Sequence, residues 1–206
     1  TLLSGLHLST VVLVWVFHPR HHCYSFFFFF FLFFFFFFKQ KTAYELSACL
    51  VGSAFRTCDS FKADAIWLCG ICAVPPSAEI HKSALGAEDS VPWEHSDSTM
   101  DVVSRLRSLG YEIVSVEQTV NSVSLEKFSP EFAEGKKYAL IFGNEVDGVD
   151  QAVVDASDMT LEIPQFGTKH SLNVSVSVGV ILWHFTLARL MDKSLLQPRR
   201  PEHHGH

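Results

Sequence analysis

The 206-residue sequence predicts an α/β fold with a mostly parallel sheet. Three observations favour this class. Short apolar segments typical of buried strands alternate with segments of helical spacing. Two of the strands, at 138–142 and 161–163, run directly into loops that contain glycine and polar side chains. A long apolar helix, predicted at 172–190, then closes the domain. We therefore expect one domain at 50–191, followed by a polar, disordered tail at 192–206.

Residues 1–49 differ in character from the rest of the chain. Twelve of the twenty phenylalanines lie between residues 26 and 38, a run that a T-rich nucleotide tract yields when it is translated. We expect residues 23–46 not to be evolved coding sequence, and the chain, which starts at Thr1, to be a fragment or an incomplete gene model. Segment 10–17 has the β-branched density of a buried parallel strand and is a candidate for a displaced first strand of the sheet.

A membrane segment would have to come from residues 2–38. The phenylalanine run is shorter than the roughly 20 residues that cross a bilayer. Residues 1–17 also lack the basic start and the small-residue cleavage site of a signal peptide. A membrane-anchored protein is therefore the interpretation that the sequence favours least.

From residue 51 onward the elements can be assigned in order. Ala54, Phe55 and Cys58 share one side of the first helix, which leaves Arg56 on the other side. Asp97 or Ser98 can cap a later helix. The pattern predicts helices at 51–61, 80–85, 99–109 and 151–156, a helical turn near 125, and strands at 65–69, 90–93, 111–117, 138–142 and 161–163.

Charge and cysteine content limit the classes of function. The net charge of -6 and the pI near 6.0 exclude a broadly basic surface, so any nucleic-acid contact must come from a local patch. Five cysteines without a disulfide-framework spacing favour a reducing compartment, which is the cytoplasm or an organelle. Cys69 and Cys72 form a CxxC, but Pro75 and Pro76 occupy the place of the helix that a redox site needs. We interpret this segment as a strand end followed by a loop, and we expect no metal site.

The loops after two strands are the candidate chemical sites, because ligands of open α/β sheets bind at the carboxyl ends of strands. Loop 143–149 carries a carboxylate at Glu145, and loop 164–173 carries a hydroxyl and an amide at Ser171 and Asn173. An ordinary strand-to-helix turn capped by Ser171 or Asn173 is the alternative for the second loop. A phosphate-binding loop is the alternative for the first, but it lacks the GxGxxG and GK[ST] patterns and contains two acids.

Three segments resemble, in order and spacing, the signature motifs of one enzyme family: VGSAFRTCD at 51–59, ALIFGNEVDGV at 139–149 and LEIPQFGTKHSLNVSVSVG at 161–179. The family is the SpoU (TrmH-like) group of S-adenosylmethionine-dependent RNA ribose 2′-O-methyltransferases, in the SPOUT superfamily. The resemblance implies a deep C-terminal trefoil knot, a rare exception to unknotted topology. It also implies a homodimer with active sites near the subunit interface, and tRNA or rRNA as substrate.

The resemblance also implies roles for individual residues. The donor S-adenosylmethionine would be held largely by backbone groups near five positions: Phe142, Gly143, Asn144, Ile163 and Leu172. Arg56 would bind the adjoining phosphate and stabilise the developing alkoxide, since a guanidinium is a poor base. Glu145, Ser171 and Asn173 would position the substrate and support Arg56. The cations available for RNA contact are Arg56, Lys62, Lys82, Lys169 and His170.

One position departs from the family pattern. Leu50 stands where the first motif has an asparagine immediately before the Val-Gly pair. This difference favours a second interpretation, in which the chain is a catalytically impaired RNA-binding or scaffold protein that retains the knotted fold.

Overall fold

The computed structural model describes residues 12–17, 43–132, 135–144, 147–168 and 171–191. A seven-stranded sheet with the order β3-β2-β1-β6-β4-β7-β5 forms its centre. The strands are β1 (Val12–Phe17), β2 (Ile66–Cys69), β3 (Trp93–Ser96), β4 (Tyr111–Val116), β5 (Val123–Ser124), β6 (Lys137–Phe142) and β7 (Met159–Glu162). The helices are α1 (Ala43–Phe61), α2 (Ala78–Ala84), α3 (Ala87–Ser90), α4 (Thr99–Ser108), α5 (Gln151–Ala156) and α6 (Val174–Met191), with a 3-10 turn at Leu125–Lys127. The predicted α/β class is confirmed.

Six of the strands run in one direction and β1 runs against them. The pairs β2–β3, β4–β6, β4–β7 and β5–β7 are parallel. Strand β1 lies between β2 and β6 and is antiparallel to both, with Leu13 opposite Leu68 and Phe142. The prediction of a parallel strand at 10–17 is therefore wrong in direction. A central strand needs apolar residues for both faces of the sheet in either direction, so its β-branched composition does not encode which way it runs.

Helix α1 begins at Ala43, ahead of residue 50, where the sequence analysis places the start of the domain. Ala48 and Val51 are fully buried in the same core cluster as Ile80 of α2. The apolar helical spacing thus continues upstream of the first motif, which extends the packed part of the helix. The phenylalanine run at 26–38 and the tail at 192–206 lie outside the described residues.

Both faces of the sheet are covered, as the alternation along β6 illustrates. Tyr138, Leu140 and Phe142 belong to one buried cluster, together with residues of α1, α2 and α6. Ala139 and Ile141 belong to a second cluster, together with residues of α4 and α5. Successive side chains of a strand point to opposite faces, so burial of both faces explains why this strand is continuously apolar.

Helix α4 begins at the predicted residue and ends within one residue of the prediction, whereas β3 starts later in the chain than predicted. Ser98 caps α4, and its Oγ accepts a hydrogen bond from the Asp101 amide at 3.2 Å. Gly110 follows α4 with a φ of +80°, a conformation that glycine adopts without strain. Strand β3 begins at Trp93 instead of covering 90–93. Pro92 has no amide hydrogen to donate to a sheet ladder, so the strand starts after it.

Helix α6 combines burial with an apolar surface. It is the one helix in the described part of the chain that is long and apolar enough to cross a membrane by length and composition. Val178, Ile181, Leu182 and Phe185 of α6 are buried and belong to the larger core cluster. Core helices of soluble proteins share this composition, which makes it weak support for a membrane segment.

Candidate active site

A cavity of about 450 Å³ lies at the carboxyl ends of β4, β6 and β7, and we call it the carboxyl-edge cavity. This is the edge of the sheet where the sequence analysis places the candidate site. Its described lining residues come from five parts of the chain: 116–119 from the end of β4 onward, 142–144 and 147–149 after β6, Gln151 and Val154 of α5, positions within 161–165 at the end of β7, and positions within 171–177 at the start of α6. The five residues predicted to hold the donor all line it, namely Phe142, Gly143, Asn144, Ile163 and Leu172.

The loop after β6 folds back on itself at the cavity wall. Asn144 Oδ1 accepts a hydrogen bond from the Asp147 amide at 2.7 Å, and the Gly148 amide donates to the Asn144 carbonyl at 3.2 Å. A Cβ placed on Gly143 would overlap the backbone of Gly148 and Val149. Only glycine allows this close approach, which explains the residue type at position 143. Glu145 lies outside the described residues.

Glu117 is a residue of this cavity that the sequence analysis missed. It directly follows β4, and its Oε2 accepts a hydrogen bond from the Val149 amide at 3.0 Å. Its own amide donates to the Leu161 carbonyl at 3.0 Å, which ties the end of β4 to β7. A carboxylate immediately after a strand that ends at the ligand-binding edge was the available sequence feature.

The segment before α6 contributes both cavity wall and helix cap. Ser171 and Leu172 line the carboxyl-edge cavity. Asn173 Oδ1 accepts hydrogen bonds from the Ser175 amide at 2.9 Å and from Ser175 Oγ at 2.6 Å. Asn173 is therefore the N-cap of α6, as the simpler interpretation of this turn anticipated. Lys169 and His170 lie outside the described residues.

Arg56 lies at a different place in the chain. It lines a second cavity, of about 310 Å³, together with Asp59, Ser60, Gly86 and Ser90; we call this the Arg56 cavity. These residues closely precede β2 and β3, so the Arg56 cavity lies toward the amino-terminal edge of the sheet. The two cavities share no lining residue among those described. Within the described part of the chain, Arg56 does not line the cavity that the predicted donor residues form.

Arg56, Lys62 and Lys82 are all exposed. Arg56 extends from the outer side of α1, as predicted, while Phe55 beside it is fully buried. Exposed cations of this kind attract phosphates but do not read base sequence.

The described lining of the carboxyl-edge cavity is acidic. Three carboxylates line it, those of Glu117, Asp147 and Glu162, and none of its described lining residues is Lys, Arg or His. Glu162 Oε2 accepts a hydrogen bond from Ser122 Oγ at 2.8 Å, and the Glu117 carboxylate accepts from the Gln118 and Val149 amides. These donors are neutral, so the bonds do not cancel the negative charge of either carboxylate. Such a lining favours a cationic ligand and disfavours a free phosphate.

The CxxC segment lies at the end of β2, away from both cavities. Burial raises the pKa of the Cys69 thiol to about 12 and that of the Cys72 thiol to about 11. Both thiols are therefore protonated near neutral pH and are weak nucleophiles and metal ligands. Among the described residues, no group of three or more His, Cys, Asp or Glu side chains could hold a metal ion.

Comparison with known proteins gives the same family as the motifs. Residues 51–183 match the model of the SpoU rRNA Methylase family. The tRNA (guanosine(18)-2'-O)-methyltransferase TARBP1 of Mus musculus is 30% identical over 143 residues, which are 68% of this chain and 9% of that protein. The 23S rRNA (guanosine-2'-O-)-methyltransferase RlmB of Nitrosomonas europaea is 32% identical over 147 residues, which are 69% of this chain and 51% of that protein. The chain thus spans about half of the length of the RlmB relative and less than a tenth of the length of the TARBP1 relative.

Solved structures have the same fold. An AdoMet-bound rRNA methyltransferase from Sinorhizobium meliloti matches with a TM-score of 0.61 at 25% identity, over 69% of this chain and 52% of that one. The TrmH/SpoU tRNA modifying enzyme of A. aeolicus matches with a TM-score of 0.58 at 26% identity, over 79% of this chain and 77% of that one. With the family model covering most of the chain, the protein belongs to the SpoU rRNA Methylase family.

Proposed function

We propose that this protein transfers a methyl group from S-adenosylmethionine to a ribose 2′-hydroxyl of tRNA or rRNA, and that the donor binds in the carboxyl-edge cavity. The observation that carries the proposal is the meeting of the second and third motifs around this one cavity. The two relatives named above act on tRNA and on rRNA, so the class of RNA stays open.

The cavity suits the donor in size and charge. Its volume of about 450 Å³ lies within the range of small-molecule sites. S-adenosylmethionine supplies an electrophilic methyl group on a positively charged sulfonium, and the three carboxylates of the lining favour that charge. The backbone of Gly143 and Asn144 and the side chains of Ile163 and Leu172 would form the walls that hold the adenine and methionine portions.

Arg56 would act on the RNA. Its guanidinium would bind the phosphate next to the target ribose and stabilise the negative charge that develops on the 2′-oxygen. Glu145, Ser171 and Asn173 would orient the substrate, in keeping with the resemblance. Lys62, Lys82, Lys169 and His170 would add attraction to the RNA backbone.

We further propose that the working form is a homodimer in which each carboxyl-edge cavity receives Arg56 from the partner. This follows from the position of Arg56 in a separate cavity of its own chain. Helix α6 offers a surface for the partner, because it carries an exposed apolar stripe of Val176, Val180, Trp183, Leu187 and Leu190 at helical spacing. The C-terminal trefoil knot belongs to this proposal as well, and tracing the chain in an experimental structure would test it.

The decisive experiment measures donor binding and methyl transfer separately. Calorimetry should detect S-adenosylmethionine binding to the full chain, and incubation with total RNA should label ribose 2′-oxygens. Arg56→Ala should lower methyl transfer by about 10²- to 10³-fold, the usual cost of removing a group that stabilises a developing oxyanion, while donor affinity stays unchanged. Arg105→Ala, which removes an exposed arginine that pairs with Glu94 at 2.6 Å, is the matched control and should leave both unchanged. Absence of donor binding by the wild-type chain would overturn the proposal.

Leu50 favours the second candidate function, a catalytically impaired RNA-binding protein. Leu50 is half-buried on α1, immediately before the first motif. Under this alternative the chain binds donor and RNA without turnover, and Leu50→Asn should produce methyl transfer where the wild type has none. Measurable turnover by the wild type would exclude it.

A further inference from the structure

We propose that Glu117 is a positioning residue of the donor site, acting through the loop after β6. This inference rests on the proposed function, since it concerns the same carboxyl-edge cavity. None of the three signature motifs contains Glu117; it comes from the end of β4, which lies between β6 and β7 in the sheet.

Three backbone contacts fix Glu117 in place. Its amide donates to the Leu161 carbonyl at 3.0 Å, which anchors it to β7. Oε1 accepts from the Gln118 amide at 2.9 Å, and Oε2 accepts from the Val149 amide at 3.0 Å. The carboxylate thus bridges its own strand to the far end of loop 143–149. Hydrogen bonds from amides to a carboxylate are stronger than those between neutral groups.

The Glu117 carboxylate anchors the far end of this loop to the sheet. The Asp147 and Gly148 amides donate to Asn144 and close the loop on itself. The Val149 amide, next in the chain, donates to Glu117 and ties the end of the loop to the end of β4. Gly148 has a φ of +69°, and a Cβ there would collide with Glu117 Oε2. The Glu117 side chain is long enough to reach the Val149 amide, and the absence of a side chain at Gly148 leaves room for its carboxylate. Residues 142–144 and 147–149 line the cavity on this side, so losing this anchor would deform the donor site.

Substitutions of Glu117 distinguish the effect of side-chain length from the effect of side-chain charge. Glu117→Ala should weaken S-adenosylmethionine binding by about tenfold or more, the effect of losing one charge-assisted hydrogen bond. Glu117→Asp keeps the charge but is shorter by one methylene, so it should weaken binding nearly as much. Glu117→Gln keeps an oxygen that can accept from the Val149 amide, so its loss should be clearly smaller than that of Glu117→Asp. The reverse order, with Gln worse than Asp, would overturn the positioning role and assign an effect of charge on the ligand.

A merely structural role would not give the same set of readouts. The KM for S-adenosylmethionine should rise in Glu117→Ala while the KM for RNA stays within about twofold, since only the donor wall is disturbed. Hydrogen exchange of the Val149 amide should become faster in Glu117→Asp, even without ligand. In a double-mutant cycle, Glu117→Ala and Gly148→Ala should be non-additive, because both break the same contact. Additive losses, or equal rises in both KM values, would contradict the inference.

Glu112→Ala is the matched control, since Glu112 lies on the same strand and pairs with Lys136 at 2.7 Å. Its donor affinity should equal that of the wild type. Failure of the wild type to bind S-adenosylmethionine would defeat the proposed function and this inference together. Normal donor binding by Glu117→Ala, beside a functional wild type, would defeat this inference alone. If Glu117→Ala does not fold, the Glu117→Asp and Glu117→Gln pair still decides between reach and charge.

Discussion

The two cavities of this protein differ in position, lining and charge. The carboxyl-edge cavity lies where β4, β6 and β7 end, and loops from separate parts of the chain surround it with three carboxylates. The Arg56 cavity is smaller, about 310 Å³ against about 450 Å³, and lies among α1, α2 and α3. Its lining carries one exposed guanidinium, that of Arg56, and one carboxylate, that of Asp59, instead of three carboxylates.

This difference separates two tasks within one chain. An acidic, loop-walled cavity suits a small cation, whereas an exposed arginine suits a phosphate on a polyanion. Methyl transfer would need both groups at one place, and the fold puts them toward opposite edges of the sheet. The proposed dimer follows from this separation, because a second copy can supply the missing half of each site.

The largest effect on donor affinity should come from closing the carboxyl-edge cavity at Gly143. In Gly143→Ala the new Cβ would overlap backbone atoms of Gly148 and Val149, which cannot move as a flexible side chain can. We expect a loss of about 2–3 kcal/mol in the free energy of unfolding, typical of overpacking, and a donor affinity reduced by about 100-fold. Urea unfolding and calorimetry with S-adenosylmethionine measure the two quantities.

Gly179→Ala is the control for this substitution. A Cβ at Gly179 meets nothing within 4 Å, and in the interior of α6 alanine is favoured over glycine by roughly 0.5–1 kcal/mol. The variant should therefore be as stable as the wild type or more so, with unchanged donor affinity. Unchanged donor binding in Gly143→Ala would show that the carboxyl-edge cavity is not the donor site.

The sequence predicted the carboxyl-edge cavity better than the Arg56 cavity, for a physical reason. Strand 138–142 is apolar on both faces and ends at a glycine, so the buried strand and its ligand-side loop can be inferred from neighbouring residues alone. The cap of α6 by Asn173 and the cap of α4 by Ser98 are equally local. Patterns of this kind depend on a few consecutive residues.

Long-range features were the ones missed. The direction of β1 depends on how distant strands pair, and an apolar β-branched segment is compatible with both directions. The anchor between Glu117 and Val149 joins residues 32 positions apart, and a glutamate at a strand end does not reveal its partner. The separation of Arg56 from the donor residues depends on the sheet order, which no single motif encodes.

A smaller effect is expected from the apolar stripe of α6. Val180→Glu places a charge on the exposed side of the helix, where it would be buried in the proposed dimer but solvated in a monomer. We expect the dimer to weaken by about 10- to 100-fold, consistent with burying an unpaired charge. Methyl transfer should fall in parallel at low protein concentration, while donor affinity per chain stays the same. Sedimentation velocity measures the association.

Met100→Glu is the control for the dimer, since Met100 is exposed to the same extent as Val180 but lies on α4, which packs on the other face of the sheet. It should sediment as the wild type does. A wild-type chain that is monomeric at all concentrations and still transfers methyl groups would contradict the two-copy site. Arg56 would then have to reach the donor within one chain.

The smallest effect concerns Cys69, which ends β2 without lining either cavity. Burial raises the pKa of its thiol to about 12, above the value of an exposed cysteine. Because the folded-state pKa is the higher one, the neutral thiol's contribution to stability is complete below about pH 9 and is lost as the pH rises toward 12. We expect wild type to lose about 1 kcal/mol more than Cys69→Ala between pH 8 and pH 10 in urea unfolding. Saturating S-adenosylmethionine should raise the stability of both proteins equally, because Cys69 does not line the donor cavity. A pH-dependent difference in donor affinity between the two proteins would contradict this expectation and show that the two regions are coupled.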